Sequence, residues 1–269
     1  MTRDGSAGSL DTSLRLEAVE EVARVAGDLA LTHFGRSIVV EQKLDGSPVT
    51  EADRSAELAA REWLSVRFPD DGVLGEESGE QGESSGIRWI LDPIDGTKTF
   101  LSGVPLWGTL VALCEGESVL AGCAYFPALE ELVVAAPGAG CWWNGKRASV
   151  STIEKLSDAT VLTTDERFHG LVARREGWRA VADVARVSRT WGDCYGYLLV
   201  ATGRAEAMMD GVTSAWDSAP LLPILEEAGG VLTDWNGIRT GFGGSAVATN
   251  AAVAREVRQI LSRAESIDG

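Results

Sequence analysis

Trp89-Ile90-Leu91-Asp92-Pro93-Ile94-Asp95-Gly96-Thr97-Lys98 is the stretch on which the reading of the chain turns. Ile87 to Leu91 is a short apolar run rich in β-formers and predicts a buried strand. Two carboxylates follow, Asp92 and Asp95, with Pro93 between them. The proline fixes its own φ and biases Asp92 towards extended geometry, which stiffens the turn. Asp95-Gly96-Thr97 then reads as the entrance to a helix, where unpaired N–H groups can receive an anion. Taken locally this is a strand, a proline turn and an aspartate N-cap. That account suffices for Asp95 and leaves Asp92 without a reason. Carboxylates beside an anion cradle repel phosphate unless a cation lies between them.

Towards the N-terminus, Gly72 to Gly75 predicts a short strand running into Glu76-Glu77-Ser78. Pairing with the next strand would bring Glu76 or Glu77 alongside Asp92 and Asp95. Residues 79–86 read as a polar loop. Thr50-Glu51-Ala52-Asp53 fits a capping box that opens a helix to Phe68, stopped by Pro69, and this gives Thr50 and Asp53 a structural role. Ile38 to Lys43 reads as a strand and Asp45-Gly46-Ser47-Pro48 as a turn. Apolar residues from Leu16 to Ala30 recur at helical spacing and predict a helix from Asp11 to Phe34, with His33 as a helix-terminal residue and Gly35 ending it. Residues 1–10 are expected to be disordered.

Towards the C-terminus, Leu106 to Glu115, Ser118 to Phe126 and Glu131 to Ala136 predict an antiparallel meander, followed by a hairpin at Trp142-Trp143-Asn144-Gly145-Lys146. Beyond residue 150 the rhythm changes. Strands near Thr160–Thr164, Arg186–Trp191 and Ala205–Asp210 alternate with helices over Leu171–Val184, Cys194–Thr202 and Trp216–Ala228. Strands near Val231–Thr233 and Ala246–Thr249 and a helix from Asn250 to Arg263 complete the chain. We therefore expect an α+β half over 11–150 and a smaller α/β half over 151–269.

The 269 residues suffice for a sizeable core, and the net charge of −16 argues against nucleic acid or an anionic membrane as a partner. There is no apolar stretch of about 20 residues and no apolar signal-peptide centre. Cys114, Cys123, Cys141 and Cys194 lack C-x-x-C spacing and read as free thiols, in keeping with a cytoplasmic protein.

Several chemistries fall away. With only His33 and His169 and no G-x-S-x-G, a serine hydrolase triad is poorly supported, and no zinc or Walker A motif is present. Asp92 and Asp95 stand one residue too far apart for the D-x-D-G-T of haloacid-dehalogenase-type phosphatases, which disfavours a covalent route. Oxygen ligands remain, and those suit Mg²⁺ or Mn²⁺. Two carboxylates about 4 Å apart repel by roughly 4 kcal/mol at an effective dielectric near 20. A cluster of Glu76, Asp92, Asp95 and one more acid would protonate, spread or bind cations.

Gly75-Glu76-Glu77-Ser78, Trp89 to Thr97, and Trp216-Asp217 followed by Glu227-Ala228-Gly229-Gly230 resemble, in order, the motifs of the inositol monophosphatase superfamily. The resemblance implies a layered α-β-α-β-α sandwich with metals at the junction of the halves. It implies a phosphomonoesterase in which Glu76, Asp92 and the Ile94 carbonyl hold one Mg²⁺ and Asp92, Asp95 and Asp217 a second, two or three ions in all. Glu76 and Thr97 would position an attacking water, Gly96 and Thr97 amides would hold phosphate oxygens with Asp95 and Lys98 nearby, and Asp53 matches the family's supporting acid. Lys43 matches a basic residue near an outer metal site. Homodimers are usual in the family, and the Trp142-Trp143 hairpin is a candidate interface.

Within the family the chain is most similar to the bacterial histidinol-phosphate phosphatases, through Asp92 to Lys98, Val104 to Trp107, Arg189 to Asp193 and Gly243 to Asn250. Asp193 and Asp210 fall where substrate contacts lie, with Asp217 beside them. Two acids opposite a metal site complement an ammonium and an imidazole. Arg189 is expected to brace Asp193 or reach the substrate. The alternatives are an inositol-1-phosphatase or a broad small-ester phosphatase, and, outside enzymes, a metal-binding scaffold.

Overall fold

In the computed structural model the strand Ile87–Asp95 lies third from one edge of an eight-stranded sheet. The structure describes residues 5–43, 46, 48–82 and 84–265, with side chains over 14–43, 46, 48–82 and 84–264. The strand order is Lys146–Arg147, Gly140–Trp143, Glu131–Ala136, Ser118–Phe126, Gly108–Glu115, Ile87–Asp95, Gly72–Gly75, Gly79–Gln81. Neighbours joined by hairpins run antiparallel, and only Ile87–Asp95 and Gly72–Gly75 run parallel.

Side chains alternate across this sheet with the period of two that a pleated strand imposes. Trp89, Leu91, Val111 and Leu113 point to one face, where the helices Gly5–His33 and Glu51–Arg67 cover them. Ile90, Leu110, Ala112 and Cys114 point to the other, against the helices Asp193–Ala201 and Leu221–Glu227. Those two helices also cover a second, five-stranded sheet, ordered Val187–Arg189, Thr160–Leu162, Ala207–Asp210, Ala246–Asn250, Gly230–Thr233. Its first three strands are parallel and its last two antiparallel. Ala207, Met209 and Val247 on its far side pack with Trp178, Val181, Val257 and Leu261 of the helices Val172–Val184 and Ala254–Glu265. The result is the expected α-β-α-β-α sandwich, with both sheets packed on one middle layer.

Several boundaries differ from those expected. The first helix begins at Gly5, so residues 5–10 are helical; a helix already nucleated downstream extends without a fresh nucleation cost. Residues 1–4, and Asp45 and Ser47 of the expected turn, lie outside the described residues. Part of the expected 79–86 loop, Gly79–Gln81, is an edge strand. The helix expected from Trp216 to Ala228 is two, Ala215–Ser218 and Leu221–Glu227, because Pro220 has no N–H to continue the ladder. The last helix begins at Ala254, since Asn250 Oδ1 accepts the Val253 amide at 2.9 Å and holds a turn ahead of it. Among the described residues no helix is long and apolar enough to cross a membrane, and all four cysteines are buried and free.

The middle layer is seated by one close approach. A Cβ built on Gly122 would lie 2.0 Å from the Pro220 carbonyl oxygen, so the backbone of the Pro220 segment rests directly on the sheet. Gly122→Ala should therefore force the middle layer off the sheet and destabilise the protein by about 2–3 kcal/mol or more, read as a lower urea midpoint at unchanged slope.

Candidate active site

Asp92 is paired with Leu110 and Asp95 with Gly108, so three steps along one strand meet two along the other. This is a β-bulge, and it decides the geometry of the site. In a regular strand, residues three apart face opposite ways. Leu110 and Gly108 share a face, so the surplus residue brings Asp92 and Asp95 to that face, the one under the middle layer. The Ile94 amide donates to Asp92 Oδ1 at 3.0 Å and Thr109 Oγ1 to the Pro93 carbonyl at 2.8 Å, fixing the bulge. The Ile94 side chain packs in the opposite core.

The middle layer supplies Asp217. Ser214 and Asp217 form a capping box, in which the Ser214 amide donates to Asp217 Oδ2 at 2.6 Å. Oxygens of Asp92, Asp95 and Asp217 all come within 4.8 Å of one another. Glu76 follows its strand into the same place. Its amide donates to the Leu91 carbonyl at 3.1 Å, and its carboxyl stands close enough to Asp92 for its charge to act on that group. Of the two candidates, Glu76 lines the cavity and Glu77 does not. Lys43 Nζ donates to Glu76 Oε1 at 2.6 Å and Glu77 Oε1 at 2.7 Å, so it neutralises the acids at the outer edge of the cluster.

Burial and mutual repulsion set the protonation of these groups. Burial first, then the charges of Glu76, Asp95 and Asp217, pushes the Asp92 carboxyl well above the ordinary aspartate range. Burial, then Asp217 and Asp193, does the same to Asp95, against the Cys194 amide that donates to its Oδ1 at 3.2 Å. Burial outweighs the capping amide at Asp217 and raises it to about 7. The donors are carboxylate oxygens, with the Ile94 carbonyl in the same cavity lining and no imidazole. A set of acids, Asp92 buried and the others half-buried, that cannot all ionise alone fits a hard divalent cation.

Asp53 is the N3 acid of the Thr50 capping box, taking the Thr50 amide at 2.8 Å and Thr50 Oγ1 at 2.6 Å on Oδ2. Burial raises its pKa and the Glu76 charge adds to this, yet Asp53 does not line the cavity. Thr97 Oγ1 donates to the Ile94 carbonyl at 3.2 Å. Gly96, at φ 88°, occupies the left-handed region that glycine favours, and a Cβ there would meet Asp193 Oδ2 at 3.0 Å.

The cavity holds about 430 Å³ and is also lined by Gly96, Thr97, Lys98, Thr164, Asp193, Tyr197 and Asp210. Asp193 has φ 51°, sparsely populated for any residue with a side chain. It is held there by Thr99 Oγ1, which donates to its Oδ2 at 2.8 Å, and by Thr164 Oγ1, which accepts its amide at 2.8 Å. Asp210 accepts the Thr164 amide at 3.0 Å and Tyr197 Oη at 2.9 Å, and burial raises it to about 6. One residue, Thr164, thus ties both acids together. A second cavity of about 480 Å³ adjoins the first and shares Lys98, Thr164 and Asp193 with it.

Arg189 does not brace Asp193. It stands on the edge strand Val187–Arg189, donates to its neighbour's carbonyl at Ser188 at 2.7 Å, and lines neither cavity. Its strand lies two places from the one ending in Asp210, so the bracing of Asp193 falls to Thr99 and Thr164 instead. Sequence reasoning missed Thr164, Thr99 and Tyr197. Thr164 was within reach, because it stands just past the carboxyl end of a parallel strand, where α/β sheets place their ligands. Tyr197 reads as core in an apolar helix and carries no such signal.

Comparison with known proteins agrees with this geometry. The inositol monophosphatase family matches residues 11–265. A histidinol-phosphatase of Chlorobaculum parvum (strain DSM 263 / NCIMB 8327) is 42% identical over 252 residues, covering 93% of this chain and 97% of its own. A histidinol-phosphatase of Mycobacterium tuberculosis is 38% identical over 238 residues, covering 86% and 92%. The solved extragenic suppressor protein suhB of Bartonella henselae superposes with a TM-score of 0.86 at 30% identity, covering 92% of this chain and 98% of that one. With its fold, its acidic cluster and these likenesses in agreement, the chain belongs to the inositol monophosphatase family.

Proposed function

We propose that this chain is a magnesium-dependent phosphomonoesterase whose substrate is L-histidinol phosphate, serving histidine biosynthesis. The observation that carries the reading is one cavity holding two kinds of acid: the Asp92, Asp95 and Asp217 group, and the Asp193 and Asp210 pair tied by Thr164. The first group suits cations that carry the phosphate. The second suits an ester whose organic part is itself cationic, as an ammonium and an imidazole are. The histidinol-phosphatase names of the relatives support the same choice.

Glu76, Asp92, Asp95, Asp217 and the Ile94 carbonyl would hold two or three Mg²⁺, with Mn²⁺ a substitute. Cations held there would supply Lewis-acid chemistry, polarising the phosphoryl group and lowering the pKa of an attacking water. Glu76 and Thr97 orient that water in line with the ester bond, and Asp53 supports the arrangement through Thr50 and the charge it shares with Glu76. The Gly96 and Thr97 amides and Lys98 receive phosphate oxygens. Water would add to phosphorus as the ester P–O bond breaks, and the proton that the water gives up would pass through the solvent of the cavity to the departing alcohol oxygen, leaving the alcohol and inorganic phosphate. Lys43 screens Glu76 at the outer edge. We further place the protein in the cytoplasm as a homodimer, with Trp142, 42% exposed on its hairpin, in the contact between subunits.

Asp92→Asn should lower kcat/KM on histidinol phosphate by on the order of a hundredfold to a thousandfold. Asp193→Asn, which tolerates the left-handed backbone, should cost histidinol phosphate about tenfold to a hundredfold in kcat/KM and inositol 1-phosphate far less. Equal losses, or a wild-type preference for inositol 1-phosphate, would return the assignment to an inositol phosphatase. No phosphate release from any small ester with Mg²⁺ present would favour a scaffold.

The raised acids also predict a pH dependence. Asp210 at about 6 and Asp217 at about 7 stand above the ordinary 3.8, so the folded metal-free protein binds more protons than the unfolded chain. The stability they contribute is complete below the unfolded pKa and is lost as pH rises through the folded values. Metal-free protein should therefore melt at a lower temperature at about pH 8 than at about pH 5, and saturating Mg²⁺ should raise Tm more at the higher pH. Asp217→Asn should flatten both trends, measured by scanning calorimetry.

A further inference from the structure

Glu57 is a buried carboxylate that the active-site account leaves unused. It lies on the helix Glu51–Arg67, its side chain is 0% exposed, and it takes three donors. Oε2 accepts the Glu77 amide at 2.8 Å; Oε1 accepts the Ser78 amide at 3.0 Å and Arg61 Nε at 2.8 Å. Arg61 alone would explain Oε1, since the two residues stand one helical turn apart. It does not explain Oε2, which bonds the peptide just after Glu76. Arg61 reaches the same turn through Nη2, which donates to the Gly79 carbonyl at 2.6 Å. Gly75, just before Glu76, leaves room for the carboxylate: a Cβ there would lie 2.4 Å from Glu57 Cδ.

We propose that Glu57 is a positioning residue for the metal site, acting through Glu76. The inference rests on the reading of Glu76 as a metal ligand. The Glu76 backbone is held on one side by its own amide on Leu91 and on the other by the two amides Glu57 receives. With the peptide fixed at both ends, the Glu76 carboxylate enters the cavity beside Asp92, while the Glu77 carboxylate, also bonded by Lys43, stays out of its lining. In Glu57→Gln a single oxygen replaces two, and the amide nitrogen must face a donor whichever way it is turned. The turn loses its anchor, and Glu76 its fixed place.

The test is Mn²⁺ binding to the full chain, read from the free-ion EPR signal, together with the Mg²⁺ dependence of phosphate release. Glu57→Gln should weaken Mn²⁺ binding and raise the Mg²⁺ half-saturation point by about tenfold or more, while kcat at saturating Mg²⁺ recovers to within about threefold of wild type. Gly75→Ala, which displaces the same carboxylate from the other side, should behave alike. Ala60→Gly, on the same helix away from the turn, should lower Tm without changing Mn²⁺ affinity. In the unaltered metal-free protein, the Glu77 and Ser78 amides should be protected from hydrogen exchange, a measurement that needs no variant to fold. Mn²⁺ affinity in Glu57→Gln within twofold of wild type, or rapid exchange of those two amides, would overturn the inference. A wild-type chain that binds no Mn²⁺ would instead remove the metal-site reading beneath it.

Discussion

Like charges gathered out of water set the terms for this molecule. Asp92, Asp95 and Asp217 converge within 4.8 Å, with Glu76 close by, in a region where burial already disfavours the ionised form. Left alone, such a cluster spreads or protonates. It persists because each carboxylate is fixed by a device of its own: a bulge for Asp92 and Asp95, a capping box for Asp217, a clamped turn for Glu76. The repulsion gathered there suits the site to hard cations, and the surrounding layers are arranged to hold the acids together.

The layers also explain why the site sits where it does. The acids of the first sheet rise from the face that meets the middle layer, and Asp217 descends from that layer onto them. The second sheet brings Asp210 to the same cavity at the end of its strand Ala207–Asp210. Gly122 against Pro220 brings sheet and middle layer into backbone contact, so the register between the acidic groups depends on packing as much as on chemistry.

Much of this was legible in the chain. The apolar run Ile87 to Leu91, the meander after it and the change of rhythm past residue 150 predicted most of the strands and helices that form, because hydrophobic pattern reports burial directly. Of the central acids, Asp92 was legible because a local strand-and-turn account leaves it without a reason, while Asp217 came only with the resemblance to the inositol monophosphatase superfamily. What stayed hidden depends on contacts between distant segments. The break at Pro220 and the start at Ala254 turn on local donors that periodicity does not see. Glu76 and Glu77 are neighbours of equal chemistry, both bonded by Lys43, and only the backbone pairing that sends the Glu76 amide to Leu91 and the Glu77 amide to Glu57 separates them. Arg189 misled for a similar reason: nearness in sequence to Asp193 does not survive a strand that runs along the sheet edge.

The surplus residue between Asp92 and Asp95 has one more consequence. Because the bulge converts a three-residue interval into a shared face, the length of this segment is bound to the ladder beside it. Substitution can alter Pro93 or Ile94 and leave both acids facing the middle layer, but an insertion here would turn Asp95 towards the face covered by Gly5–His33 and Glu51–Arg67 unless Gly108–Glu115 shifted in compensation. Over evolutionary drift, the spelling of this segment is freer to change than its length.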